Sequence, residues 1–175
     1  ITGHRPTRFK FKYNEKDKRC QRIKKCLQEQ LIRLYNQGVR CFWVGGAMGV
    51  DMWAAELLLR MKEQQAYQDV ELCLALPFEG YNADWDDWHR KRMDFICRYA
   101  EKVLVLGEMP SSESYKKRNY YMVEQAGYMI AVYDNAHNMR SGTQQAVNYA
   151  KKKGLQIIYI HPDTAQVTEE DITKK

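Results

Sequence analysis

The apolar residues follow two periodicities that alternate along the chain. Between residues 15 and 37 they recur at helical spacing, as Ile23 and Leu27 illustrate, and this spacing predicts a surface helix. Asn14 is the candidate N-cap of that helix, and Gly38 is the residue at which it would stop. The next apolar run is short and rich in β-branched and aromatic residues, which favours a strand.

The rest of the chain repeats this alternation. We predict strands at residues 39–44, 70–76, 102–106, 128–133 and 155–160, and further helices at 52–61, 85–99, 115–125 and 143–153. Such an order implies right-handed crossovers and a parallel sheet that helices cover. The predicted fold class is therefore α/β, a Rossmann-like open parallel sheet with helices on both faces. We expect a single domain over residues 1–175, with a polar tail from about residue 161, and residues 1–4 resemble the end of a strand that starts upstream.

A glycine cluster between the strand at 39–44 and the helix at 52–61 is the strongest candidate site. Glycines let backbone N–H groups approach a phosphate, and a helix N-terminus adds roughly half a positive charge. The alternatives are a tight turn in which Gly49 only permits close packing, and a capping role for Asp51. The pattern is neither G-x-G-x-x-G nor a Walker loop, so no nicotinamide cofactor is implied. The candidate ligand-binding residues here are Gly45, Gly46, Ala47, Gly49 and Asp51.

The other loops that follow predicted strands supply further candidates, because ligands of open parallel sheets bind beyond the carboxyl ends of the strands. Arg5 carries a forked donor suited to phosphate, and Ser141 opens a second small-residue helix start. We expect the glycine cluster and this second start to border one cleft. The additional ligand-binding candidates are Gly3, His4, Arg5, Pro77, Arg118, Asn119, Asp134, Ser141, Gly142 and Thr143.

Arg118 is the side chain that we most expect to bind the anionic group of a ligand. It falls near the start of the helix predicted at residues 115–125, where a cation opposes the helix dipole unless an anion lies nearby. A ligand phosphate would supply that anion. The alternative is a structural ion pair with Asp134 or Glu113.

The sequence predicts no catalytic residue and no metal ligand. The histidines show no metal-ligand spacing, and no nucleophile and base are paired by spacing. The five cysteines form no C-x-x-C pair, which indicates reduced, mostly buried thiols and a cytoplasmic location. We expect Trp88 in the core and leave Trp85 open between the core and a lid that would include the segment at 77–79.

The formal charge of +6 permits a polyanionic partner. The basic residues are spread over several helices, however, so nucleic acid is not the favoured partner. No apolar run approaches the ~18 residues of a membrane span, and no membrane partner is expected. The expected partner is a small phosphate-bearing ligand, and a homo-oligomer is compatible with the sequence.

Several motifs occur in a recognisable order along the chain. They are Thr2-Gly3-His4-Arg5-Pro6, the segment 45–51, Arg118-Asn119 with Met122-Val123, Ala131-Val132-Tyr133-Asp134, and Gly142-Thr143 before residues 149–154. Together they resemble the YpsA-type family of unknown function, within the SLOG superfamily of Rossmann-like proteins, and the resemblance covers nearly the whole chain. It implies a Rossmann-like fold and a nucleotide-related ligand, such as a nucleotide or an ADP-ribose-like compound, but no certain cofactor.

Two related groups of the superfamily imply alternative functions. The Lonely-guy phosphoribohydrolases cleave nucleoside monophosphates between base and ribose, using an Arg and the Glu of a P-G-G-x-G-T-x-x-E loop. In this chain the corresponding Glu position holds Ala146, so we favour ligand binding, as in a sensor, over hydrolysis. The Smf-type proteins, which bind single-stranded DNA, share the glycine and Asp motif and imply the third function.

Overall fold

The computed structural model describes residues 1–136 and 140–171. Its elements alternate as the sequence predicts. The strands are β1 (Thr2–Gly3), β2 (Cys41–Val44), β3 (Glu71–Leu76), β4 (Lys102–Val105), β5 (Tyr128–Val132), β6 (Gln156–Ile160) and β7 (Val167–Glu170). The helices are α1 (Lys18–Asn36), α2 (Val50–Lys62), α3 (Asp87–Tyr99), α4 (Ser112–Glu124) and α5 (Gly142–Lys153), with single 3-10 turns at Pro6–Arg8 and Gln65–Tyr67.

The strands form two sheets that meet at β1. One sheet has the order β1-β5-β6-β7 and the other the order β2-β3-β4. The backbone N of Ile1 donates to the carbonyl of Trp43 at 2.9 Å, which joins β1 to β2. All strand pairs are parallel except β6 with β7. The predicted Rossmann-like fold is thus confirmed, with an antiparallel strand added at one edge.

Helices cover both faces of the sheets, as predicted. The larger core lies under α1, α2 and α3, where Leu31, Leu58 and Ile96 are buried against the strands. On the other face α4 and α5 pack together, and Val147 and Ile157 belong to the core beneath α5. This arrangement leaves the carboxyl ends of the strands as the edge at which loops from both layers meet.

All five helices begin one to three residues from their predicted starts, and in α1, α3 and α4 a polar side chain that the sequence analysis does not name as the cap sets the start. Asp17 caps α1, whereas the Asn14 side chain accepts from the N–H of Lys16 within a preceding turn. Asp86 caps α3, which begins two residues after the predicted start. Ser111 caps α4 three residues before the predicted start, so Arg118 lies in the helix interior and the dipole argument for it is wrong.

The polar tail contains β7, which the sequence analysis does not predict, because its alternation of polar and apolar residues is too short to stand out. Residues 172–175 of that tail lie outside the described residues. Trp88 is 66% exposed, so the expectation that it belongs to the core is wrong. Within the parts of the chain that the structure describes, no helix has the length and apolarity needed to cross a membrane.

Candidate functional site

A cleft of about 900 Å³ opens at the carboxyl ends of β1 and β2 and extends to the beginning of α5. Parallel strands deliver their following loops to this edge, which is where ligands of open sheets bind. One wall is α4, and the polar face of α5 forms another part of the lining. Its volume falls within the range of small-molecule sites.

Ten of the predicted ligand-binding residues line the cleft and five do not. Those that line it are Gly3, His4, Arg5, Ala47, Asp51, Arg118, Asn119, Ser141, Gly142 and Thr143. The five that do not line it, in the part of the chain that the structure describes, are Gly45, Gly46, Gly49, Pro77 and Asp134. The expectation that every glycine of the first cluster borders the cleft is therefore wrong.

The glycine loop, residues 45–49, is held by protein groups. Arg118 donates through Nη1 to the carbonyl of Gly45, and the hydroxyl of Tyr81 donates to the carbonyl of Gly46 at 2.7 Å. The N–H of Ala47 donates to Oδ2 of Asp51 at 3.1 Å. A carboxylate of the chain thus already takes a loop N–H that a phosphate would use.

Gly49 serves the close packing that the sequence analysis gives as an alternative. It is the N-cap of α2 with φ +86° and ψ −128°, a backbone conformation that residues with a side chain rarely adopt. A Cβ atom built there would lie 3.0 Å from Cδ of Pro6 and 3.1 Å from the carbonyl oxygen of His4. The backbone after β1 therefore packs directly on the start of α2.

The start of α5, which consists of Ser141, Gly142 and Thr143, is more open. The Ser141 hydroxyl accepts from the N–H of Gln144 at 3.0 Å, as an N-cap does. The N–H groups of Gly142 and Thr143 belong to the first turn, which has no intrahelical acceptor for them. Gly142 is exposed, and a Cβ atom built on it would come no closer than 3.7 Å to Nδ2 of Asn119.

Arg118 and Asn119 connect the two loops through a chain of hydrogen bonds. Arg118 bonds the carbonyl of Gly45 and donates through Nε to Oδ1 of Asn119 at 2.8 Å. Asn119 donates through Nδ2 to the carbonyl of Gly142 at 3.5 Å. Both side chains are buried, and Arg118 is only 6% exposed. Among the described residues, Arg118 forms no ion pair with Asp134 or Glu113, the partners named as its structural alternative.

The cleft has a strongly positive lining. Five of its described lining residues are basic, and a single one, Asp51, is acidic. Burial raises the pKa of Asp51, whereas the nearby Arg118 guanidinium and the Ala47 N–H lower it. The basic lining residues are Arg5, Arg8, Arg118, Arg140 and Lys152.

His4 is a buried polar residue whose hydrogen bonding is incomplete. Its Nε2 lies 3.5 Å from Oδ1 of Asp134, while Nδ1 is buried with no hydrogen-bond partner among the described residues. Burial lowers the pKa of His4, although the Asp134 carboxylate opposes that effect. A buried unpaired nitrogen in a cleft wall costs free energy that a ligand or water contact would offset.

Aromatic rings complete the lining, and sequence reasoning missed them. The ring of Tyr115 lies 5.7 Å from the Arg5 guanidinium and 5.6 Å from that of Arg118. Tyr120 and Tyr149 stack at 3.7 Å. A signal was available in helical periodicity for one of these rings, Tyr149, since beyond the first turn the lining residues of α5 fall at i, i+3, i+4 and i+7. They are Gln145, Asn148, Tyr149 and Lys152.

Other predicted features lie away from the cleft. Pro77 is buried, with its carbonyl against Gly107, and Trp85 packs on Tyr81. Neither borders the cleft, so neither belongs to a lid over it. Ala146 is buried in the core beneath α5. A cluster of metal-binding type, formed by Cys41, Glu71 and Cys73, also lies outside the cleft lining.

Comparison with known proteins agrees with the motifs. The family model described as the YspA SLOG family, named YpsA, matches residues 1–165. A UPF0398 protein of Bacillus cereus (strain ATCC 14579) is 31% identical over 157 residues, covering 88% of this chain and 82% of the relative. A UPF0398 protein of Bacillus thuringiensis (strain Al Hakam) is 29% identical over the same shares of both chains.

Proposed function

This chain belongs to the YspA SLOG family, and we propose that it binds a nucleotide or nucleotide derivative in the cleft, with the phosphate at the start of α5. The observation that carries the proposal is the charge of the cleft, which sets five basic residues against one carboxylate. Such a lining raises the local concentration of an anionic ligand.

The start of α5 suits the phosphate better than the glycine loop does. Its N–H groups lack intrahelical acceptors, and Arg140 directly precedes it. Arg8 donates through Nη2 to the carbonyl of Arg140 at 3.3 Å, which brings a second guanidinium-bearing residue close. At the start of α2, by contrast, the Asp51 side chain already accepts the hydrogen bond from the Ala47 N–H, so that donor is not available to a phosphate.

The tyrosines favour a ligand that also carries a base. Tyr115, Tyr120 and Tyr149 line the cleft and supply aromatic surface that a planar base can contact, with Tyr120 and Tyr149 already stacked on each other. The cleft is large enough for a nucleotide. Hydrolysis of the glycosidic bond is less well supported. Ala146 cannot transfer a proton. Glu124, a carboxylate on the neighbouring helix α4, accepts a hydrogen bond from the Tyr149 hydroxyl and lies outside the cleft lining.

The test is a thermal-shift screen with inorganic phosphate, nucleoside mono-, di- and triphosphates and ADP-ribose, because a ligand of the native state raises the melting temperature. For the best ligand, Arg140→Gln should weaken binding at least tenfold, or about 1.4 kcal/mol. Arg98→Gln, an exposed charge on α3 away from the cleft, is the matched control and should bind as the wild type does.

Asp51→Asn decides between the two loops. If the phosphate lies at the start of α5, this variant should keep the wild-type affinity, because Asp51 bonds the glycine loop and not the start of α5. Loss of binding in Asp51→Asn, together with normal binding in Arg140→Gln, would move the phosphate to the glycine loop. A screen in which no compound shifts the melting temperature, but an oligonucleotide binds with steep salt dependence, would favour the DNA-binding alternative.

A further inference from the structure

Two cysteines and a glutamate lie on one face of the sheet at the ends of β2 and β3 away from the cleft. Cys41 is the first residue of β2 and pairs in register with Glu71, the first residue of β3. Cys73 follows Glu71 by two residues, so its side chain points to the same face. The parallel register therefore brings together three residues that are 30 or more positions apart from one strand to the next.

The ligand atoms of these residues are close enough to share one ion. The two Sγ atoms are 3.4 Å apart, and each sulfur and a carboxylate oxygen of Glu71 lie within 4.8 Å of one another. In a tetrahedral zinc site, Zn–S bonds of ~2.3 Å place two sulfurs ~3.8 Å apart. The distance observed needs only a small outward rotation of one thiol.

A disulfide fits the backbone less well. Cys41 and Cys73 are diagonal neighbours, one strand apart laterally and two residues apart along the strand. A spacing of ~4.8 Å between strands and ~6.6 Å along one gives a Cα separation of ~8 Å. That exceeds the ~7 Å beyond which two cysteines cannot be bridged without backbone movement. A metal ion, which holds its sulfurs without a direct bond, does not require that movement.

We propose that Cys41, Glu71 and Cys73 form a binding site for a borderline-soft divalent metal, with Zn²⁺ as the ion of choice. Thiolates select such ions over Mg²⁺ and Ca²⁺, and a carboxylate completes three protein ligands. Cys41 and Glu71 are exposed, so water can occupy the fourth position, whereas Cys73 is buried and anchors the site.

The positive charge of Lys102, on the same face of the sheet, would repel a bound Zn²⁺. Lys102 pairs in register with Cys73, and its Nζ lies 6.0 Å from the centre of the Trp43 ring. Lys102 is exposed, so its flexible side chain can turn toward solvent when a cation binds. The site lies at the opposite strand ends from the cleft, and its occupancy is independent of the proposed nucleotide binding.

The experiment is a zinc titration of the reduced full chain by competition with a chromogenic chelator, followed by Co²⁺ substitution. We expect one equivalent of Zn²⁺ to bind and a thiolate-to-cobalt charge-transfer band to appear. Cys41→Ser should weaken binding at least a hundredfold, and Glu71→Gln about tenfold, since each removes one ligand. Cys97→Ser, which changes a half-buried free thiol elsewhere, should bind as the wild type does.

Cys41→Ser and Glu71→Gln alter exposed residues, so they should fold even if a change at the buried Cys73 does not. Failure of the folded, reduced wild type to bind Zn²⁺ would overturn the proposal. So would wild-type affinity in Cys41→Ser, because the ion would then be bound by other groups.

Discussion

The two glycine-bearing helix starts beside the cleft, those of α2 and α5, differ in how far the protein's own groups occupy their hydrogen-bonding atoms. At the start of α2, the glycine loop is bonded by Arg118, Tyr81 and Asp51. At the start of α5, among the described residues, Ser141 is the cap, and the first-turn N–H groups of Gly142 and Thr143 have no intrahelical acceptor. The glycine loop is the more conspicuous sequence motif, yet its backbone polar groups are the ones that hydrogen-bond to the protein's own side chains.

This difference shows that glycine can serve either ligand access or internal packing. At Gly49 the lack of a side chain lets the backbone of His4 pack against the start of α2. At Gly142 the surrounding space is open, so a side chain would fit. The buried pair Arg118 and Asn119 spans both loops and fixes their separation.

The largest expected loss of stability comes from breaking the bridge between the two helix starts, which is the chain of hydrogen bonds through Arg118 and Asn119. Arg118→Gln removes donors from the carbonyl of Gly45 and from Asn119, and removes the cation that most lowers the pKa of the buried Asp51. We expect the free energy of unfolding to fall by about 3 kcal/mol, measured by urea denaturation.

Lys117→Gln is the control for that measurement, because Lys117 is exposed on the same helix. It should change the free energy of unfolding by less than about 0.5 kcal/mol. If Arg118→Gln unfolds at the same urea concentration as Lys117→Gln, the bridge does not stabilise the fold, and Arg118 is free to serve a ligand.

A loss of stability of intermediate size should distinguish the roles of Gly49 and Gly142. Gly49→Ala forces a side chain into a positive-φ conformation against the backbone of His4, and should destabilise the protein by about 2 kcal/mol. Gly142→Ala adds a methyl group to open space in the first turn of α5 and should leave stability unchanged or raised by up to about 1 kcal/mol. Equal losses in thermal denaturation of the two variants would contradict the distinction.

The smallest expected effect is on the pH dependence of stability, through His4 in the lining of the cleft. Burial lowers the pKa of His4 in the folded state, despite Asp134, and Arg8 acts in the same direction as burial. The unfolded chain therefore binds a proton first as pH falls below about 6.5, and the native state loses stability. Between about pH 7.5 and about pH 5, the free energy of unfolding should fall more steeply for the wild type than for His4→Gln.

Titration of His4 by NMR in the native protein supplies a direct measurement. A pKa at or above that of an unfolded peptide would contradict the prediction. In the presence of a bound phosphate compound, the pKa of His4 should rise, because a nearby anion favours the charged imidazolium.

The candidate site was predictable in its location but not in its internal roles. The alternation of strands and helices places the cleft at the carboxyl ends of the strands, and ten of the predicted residues line it. The assignment of Arg118 to a ligand follows from a helix start placed three residues too late, because Ser111 was not recognised as a cap. Sequence spacing on α5 contained the signal for Tyr149 in the lining, since helical periodicity is a local property.

What the sequence alone determines here is the order of the elements and the edge of the sheet at which the cleft opens. These follow from the spacing of apolar residues and from capping residues, which act over a few positions along the chain. The tertiary structure decides which polar groups remain free for a ligand. The bond from Arg118 to Gly45 and the meeting of Cys41 with Cys73 join residues far apart in sequence, and no local pattern records the register that brings them together.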